Sequence, residues 1–128
     1  MTPIEIIEKV RASIGSNGWD RGVLRDEHGP RCLMGHLFEA VPSEEQTPGS
    51  SYAQVIDAIL LFTVLSESQL HDVEENIARI RREDNLESVD ELKVKACYIG
   101  KFNDRRDIDI DDILVVLDKA QKQLESHV

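Results

Sequence analysis

The stretch from Asn17-Gly18-Trp19 to Gly35-His36 lies between strong helical patterns, and the helical periodicity is lost from Trp19. That stretch holds the only tryptophan, one of the two cysteines, and glycines at 18, 22, 29 and 35. A chain with aromatic, glycine and thiol residues gathered on a non-helical segment must turn back sharply and bury a few anchors. Binding groups also concentrate on such segments. Val23-Leu24-Arg25, Asp26-Glu27-His28-Gly29 and Pro30-Arg31-Cys32 read as a strand, a turn and a return strand, so a small β-hairpin is expected here.

The flanks are helical. Thr2, Pro3 and Glu5 fall at N-cap, N1 and N3, Ile4, Ile7, Val10 and Ile14 form one apolar stripe, and Gly15 offers the stop. A short helix from about Leu33 to Val41 ends before Pro42. The loop PSEEQTPGS at 42–50 leads to Ser50 or Ser51 as the cap of a helix carrying Tyr52, Val55, Ile56, Ile59, Leu60 and Thr63. Because its other face is also largely apolar, that helix should be central. A charged helix at about Gln69–Glu83 and another at about Ser88–Phe102 follow. The last helix starts at Asp109, with Asp111 and Asp112 on the positive end of its dipole and Ile110, Ile113, Leu114, Leu117, Ala120 and Leu124 inward. The expected fold is mainly α: a single domain over residues 1–128 with five or six helices and one small hairpin near the N-terminus.

A chain of 128 residues can bury a core without disulfides or a structural metal. With 25 acidic against 15 basic side chains its net charge is −10, which repels phosphate backbones and anionic membranes. Arg79, Arg81 and Arg82, and then Arg105 and Arg106, are diluted by adjacent acids, so neither nucleic acid nor membrane is an expected partner. Cys32 and Cys97 lie far apart, and the N-terminus has no basic region followed by an apolar core. The expectation is a cytoplasmic protein with reduced thiols.

Gly18-Trp19, Gly22, Asp26, Gly29 and Cys32-Leu33-Met34-Gly35, with Ile99, Phe102-Asn103-Asp104, Asp112-Ile113-Leu114 and Leu117-Asp118-Lys119-Ala120 downstream, form an ordered pattern. Over about residues 3 to 123 it resembles a family of small uncharacterised proteins of actinobacteria and their phages. Those proteins carry a G-W segment, a C-x-x-G segment, a W-N-D motif and a terminal D-V-L-x-x-L-D-x-A helix. Here Phe102 replaces the usual tryptophan, Asp109 an often-found threonine, and His36 a small apolar residue. The resemblance implies a phage-related source and carries no activity, cofactor or partner.

Three kinds of chemistry compete with purely structural roles. Cys32 at the start of a helix could be a nucleophile, since the positive helix end favours a thiolate, with His36 one turn on and Asn103 or Asp104 to orient a histidine. The alternative is a small apolar side chain packed beneath Trp19. His28, Cys32 and His36 have ligand-like spacing, but Gly29-Pro30 breaks the helix that would align them, so no metal site and no cofactor is expected. Trp19, Asp26, Asn103 and Asp104 could line a small-ligand pocket; equally, Asn103 and Asp104 could clasp the early segment to a helix end.

Carboxylates at Asp72, Glu74 and Glu75, and again at Asp107, Asp109, Asp111 and Asp112, could dock onto a basic protein. The expectation is a non-enzymatic accessory protein working through protein contacts. A small hydrolase or transferase using Cys32, and a ligand binder near Trp19 and Asn103-Asp104, are the alternatives.

Overall fold

The computed structural model describes residues 1–20, 31–63, 75, 78–79, 91–105 and 107–126. Among them are five α-helices: α1 (Pro3–Asn17), α2 (Leu33–Ala40), α3 (Ser51–Thr63), α4 (Glu91–Asn103) and α5 (Ile110–Glu125), with a 3-10 turn at Ser43–Glu45. Of the charged helix expected at 69–83, Glu75, Ala78 and Arg79 are described and helical, and the rest lies outside the described residues.

Each start is fixed locally. The Thr2 Oγ1 accepts from the Glu5 amide at 3.2 Å, with Pro3 at the first helical position. The Ser50 Oγ accepts from the Ala53 amide at 3.1 Å and caps α3. At α5 the cap is reciprocal: Asp109 accepts from the amides of Asp111 and Asp112, and the Asp112 carboxylate accepts from the Asp109 amide at 3.0 Å. Satisfying these orphan amides contributes about 1 kcal/mol per cap.

The end of α1 differs from expectation. The helix passes through Gly15 and stops at Gly18, whose φ of 85° and ψ of 172° only glycine adopts readily. A Cβ on Gly15 would meet nothing within 4 Å. Gly15→Ala should therefore stabilise the fold by about 0.5–1 kcal/mol, and Gly18→Ala should cost about 1–3 kcal/mol. Urea midpoints of the two variants check both signs.

The expected hairpin is not found among the described residues. Trp19 and Arg31 form one isolated parallel bridge, with the Asp20 amide donating to the Arg31 carbonyl at 3.1 Å and the Arg31 amide to the Gly18 carbonyl at 3.4 Å. A hairpin brings its strands together antiparallel, whereas a parallel pair requires the chain to loop round. The return strand is also too short: Cys32 is already the N-cap of α2. Val23–Arg25 and the turn with Asp26 lie outside the described residues.

Helix α3 packs against α1, α4 and α5; α1 also touches α2 and α5, and α2 touches α4. Ile6, Ile7, Val10, Ile14, Leu33, Leu37, Val55, Ile56, Ile59, Ile99, Ile113 and Leu117 form the centre, all at 2 % exposure or less. Each such side chain contributes about 1.5–3 kcal/mol of transfer free energy. On α5 the inner face is rotated from the expected one, since Val116 is buried while Ile110 is exposed. Arg11 on α1 reaches Asp118 at 2.7 Å and Gln121 at 3.0 Å on α5, and Lys95 on α4 reaches Asp57 on α3 at 2.6 Å. These pairs are partly exposed and set orientation more than stability.

Candidate functional site

The interruption between α1 and α2 meets the end of α4 at one side chain. Asn103, the last residue of α4, is fully buried. Its Oδ1 accepts from the Trp19 indole Nε1–H at 2.5 Å and from the Leu33 amide at 3.0 Å. Its Nδ2 donates to the Asp20 carbonyl at 3.4 Å and to the Asp104 carboxylate at 3.2 Å. Because both groups facing Oδ1 can only donate, the orientation of the amide is determined, and both its donors and its acceptor oxygen are in use. Leu33 opens α2, so its amide is one of the orphan donors of that helix. A side chain from α4 thus completes the N-terminus of another helix.

Cys32 supplies the rest of that cap. Its Sγ accepts from the Gly35 amide at 3.4 Å, and the residue is 4 % exposed. Burial raises the thiol pKa and outweighs the lowering by the Gly35 amide; the Asp104 carboxylate raises it further. A buried thiol held in protonated form is a poor nucleophile. Cys97, by contrast, is exposed on α4. At neutral pH a disulfide reagent should label Cys97 rapidly and Cys32 only after unfolding. Two fast thiols in the native protein would contradict this.

His36, one turn after Cys32, faces elsewhere. It is fully buried, with Nε2 2.8 Å from the Gly18 carbonyl and Nδ1 2.8 Å from the Ser13 hydroxyl. A carbonyl can only accept, so the proton sits on Nε2; Nδ1 then accepts from the Ser13 O–H. The ring is a neutral imidazole with both nitrogens bonded. Burial lowers its pKa, the Arg31 cation lowers it further, and the Gly18 bond partly opposes them.

Of the candidate site residues, Trp19, Asn103 and Asp104 are therefore brought together, with Cys32 adjoining through Leu33. Trp19 is half-buried and Asp104 exposed. Asp26 and His28 lie outside the described residues. No group of three metal-ligating side chains occurs among the described residues. Gly18 stands in the sequence pattern only beside Trp19, with no link to His36, and Ser13 is not part of that pattern, although a serine one turn beyond Val10 on the inner side of α1 is a signal for a buried polar partner.

The acidic run before α5 is largely spent locally. Arg105 grips Asp107 through two bonds of 3.0 and 2.6 Å, which holds that exposed carboxyl below its usual pKa. Asp109 and Asp112 cap one another. Two surface grooves lie apart from the Trp19 cluster. One, of about 500 Å³, is lined by Lys9, Phe38, Val41, Pro42 and Gln46; the other, of about 220 Å³, runs beside Glu44, Glu45 and Tyr52. No helix among the described residues is long and apolar enough to cross a membrane.

The chain matches the model of a known family over residues 1–123. The chain belongs to DUF6197, a family of unknown function. Neither a curated protein nor a solved structure matches the chain. The DUF6197 match takes in both α4 and the segment around Trp19, so the clasp made by Asn103 lies wholly within the family's bounds.

Proposed function

We propose that this DUF6197 domain is a non-enzymatic accessory protein of phage or mobile-element origin that works by binding another protein. The observation that supports the reading is where its reactive and apolar groups lie. Cys32, His36 and Asn103 are buried and committed to the fold, whereas Leu61 on α3 is 44 % exposed and Val115 on α5 is 49 % exposed. Those two helices pack side by side. Large apolar side chains left on neighbouring helices suit contact with a partner, and the net charge of −10 favours one with a basic surface. A thiol hydrolase or transferase would need Cys32 exposed and paired with a base, and the burial of Cys32 and the bonding of His36 weigh against it.

The test is capture from the native host with tagged protein, comparing the parent with Leu61→Glu and Val115→Glu. Both variants should keep the parent's helicity and melting temperature and lose a protein that the parent retains, and that protein should elute with salt. Retention of the same protein by both folded variants would overturn the assignment of this surface.

A further inference from the structure

His36 is a buried titratable group whose ring joins α2 to α1, and it does so at a crowded point. The Gly18 carbonyl accepts both from the His36 Nε2 at 2.8 Å and from the Arg31 amide at 3.4 Å, while the Gly18 amide returns to the Ile14 carbonyl at 2.8 Å. The end of α1, the bridge between Trp19 and Arg31, and the first turn of α2 therefore converge on Gly18. Cys32 sits directly behind it as the N-cap of α2.

We propose that this joint is an acid-sensitive latch: protonation of the buried His36 ring loosens the seat of α2 on the Gly18 turn and opens Cys32 to solvent. A second proton on the imidazole must be accommodated away from bulk solvent, and among the described residues no carboxylate offsets it. Among the described residues, the charged groups around it give no relief. On α1, Lys9 donates to the Ala40 carbonyl at 3.4 Å and Arg11 is turned to α5. Before α2 stands Arg31, a cation whose field reaches the ring, and Glu39 on α2 lies 3.5 Å from Arg31. On α4, the Asp104 carboxylate acts on Cys32. The Ser13 hydroxyl and the Gly18 carbonyl bond the imidazole, and the Arg31 backbone adds a smaller bond that, like the Gly18 bond, raises its pKa by less than burial lowers it.

The sign follows from burial. The folded pKa lies below the ordinary 6.5, so between the two values the open form binds the extra proton and the closed form does not. Stability of the joint is present above about pH 6.5 and is lost as pH falls through the lower folded value.

The test uses the Cys97→Ser protein, leaving Cys32 as the only thiol, and 4,4′-dithiodipyridine, which modifies thiols in acid as well as at neutrality. The labelling rate of Cys32 is divided by that of a free small thiol at the same pH. From pH 7.5 to 5.0 this ratio should rise at least about tenfold while far-UV helicity is retained, and in His36→Gln it should change less than about twofold. A flat ratio in the parent, the same rise in His36→Gln, or loss of helicity in both proteins at pH 5.0 overturns the latch. Should His36→Gln fail to fold, ring ¹⁵N shifts of His36 in the parent decide. The Nε2–H form should persist to below pH 6.5 and give way in the same step that exposes Cys32; separate steps overturn the proposal.

Discussion

Asn103→Ala should destabilise the domain by about 3–5 kcal/mol, because removing one amide leaves the Leu33 N–H and the Trp19 indole N–H without an acceptor and opens a void between α2 and α4. Each orphaned donor costs about 1–3 kcal/mol when water cannot reach it. Denaturant unfolding with an unchanged slope measures the loss. A variant within about 1 kcal/mol of the parent would show that the amide is dispensable, and Asn103 would become a candidate contact residue instead. Stability should be read together with capture of the protein partner. A structural clasp lowers the folded fraction and leaves binding per folded molecule unchanged.

Trp19→Ala is the second large effect, at about 3 kcal/mol. The ring is half-buried and packs on the core, so its removal forfeits less area than a fully buried tryptophan would and also breaks the bond to Asn103. Trp19→Phe separates the two contributions: it keeps most of the packing and deletes the donor, at a cost of about 1 kcal/mol. In a double-mutant cycle, Trp19→Phe should cost almost nothing once Asn103 is alanine. Strict additivity would mean that the 2.5 Å contact contributes no energy of its own.

What was legible in the sequence is what is decided within a turn or two of the chain. Thr2-Pro3, Ser50 and Asp109 mark helix starts because a cap needs only its own next three residues. The apolar spacing of α3 announces a buried helix for the same reason. What was not legible is decided at long range. Gly15 and Gly18 are equally able to end α1; Gly18 does so because its carbonyl is wanted by His36, eighteen residues on. Cys32 and His36 look like a reactive pair at helical spacing, yet Cys32 lies at the cap and the ring turns toward α1. That Asn103 could clasp the early segment to a helix end was legible, but nothing near position 103 discloses that its acceptor serves Trp19 and the first amide of α2.

The outer surface was misread for a related reason. On α5, periodicity puts Ile110 on the inner stripe with Ile113, Leu114 and Leu117, but Ile110 is exposed, Leu114 packs on the core only in part, and Val116 is buried in its place. Side-chain spacing gives a face; only the neighbouring helices say which edge of it stays wet.

The Asn103 clasp also dictates an order of events during synthesis. Its bond to Trp19 spans 84 residues of sequence, and its bond to Leu33 spans 70. As the chain emerges from the N-terminus, α1 can form on its own cap, but α2 lacks the acceptor for its first amide until α4 has been made. The entropy of closing so long a loop grows slowly with length, so the delay arises from waiting for the segment more than from the closure itself. Contacts of that separation mark slow steps in folding. A nascent chain halted before residue 91 therefore carries the start of α2 unfinished, its first amide open to solvent until α4 arrives with Asn103.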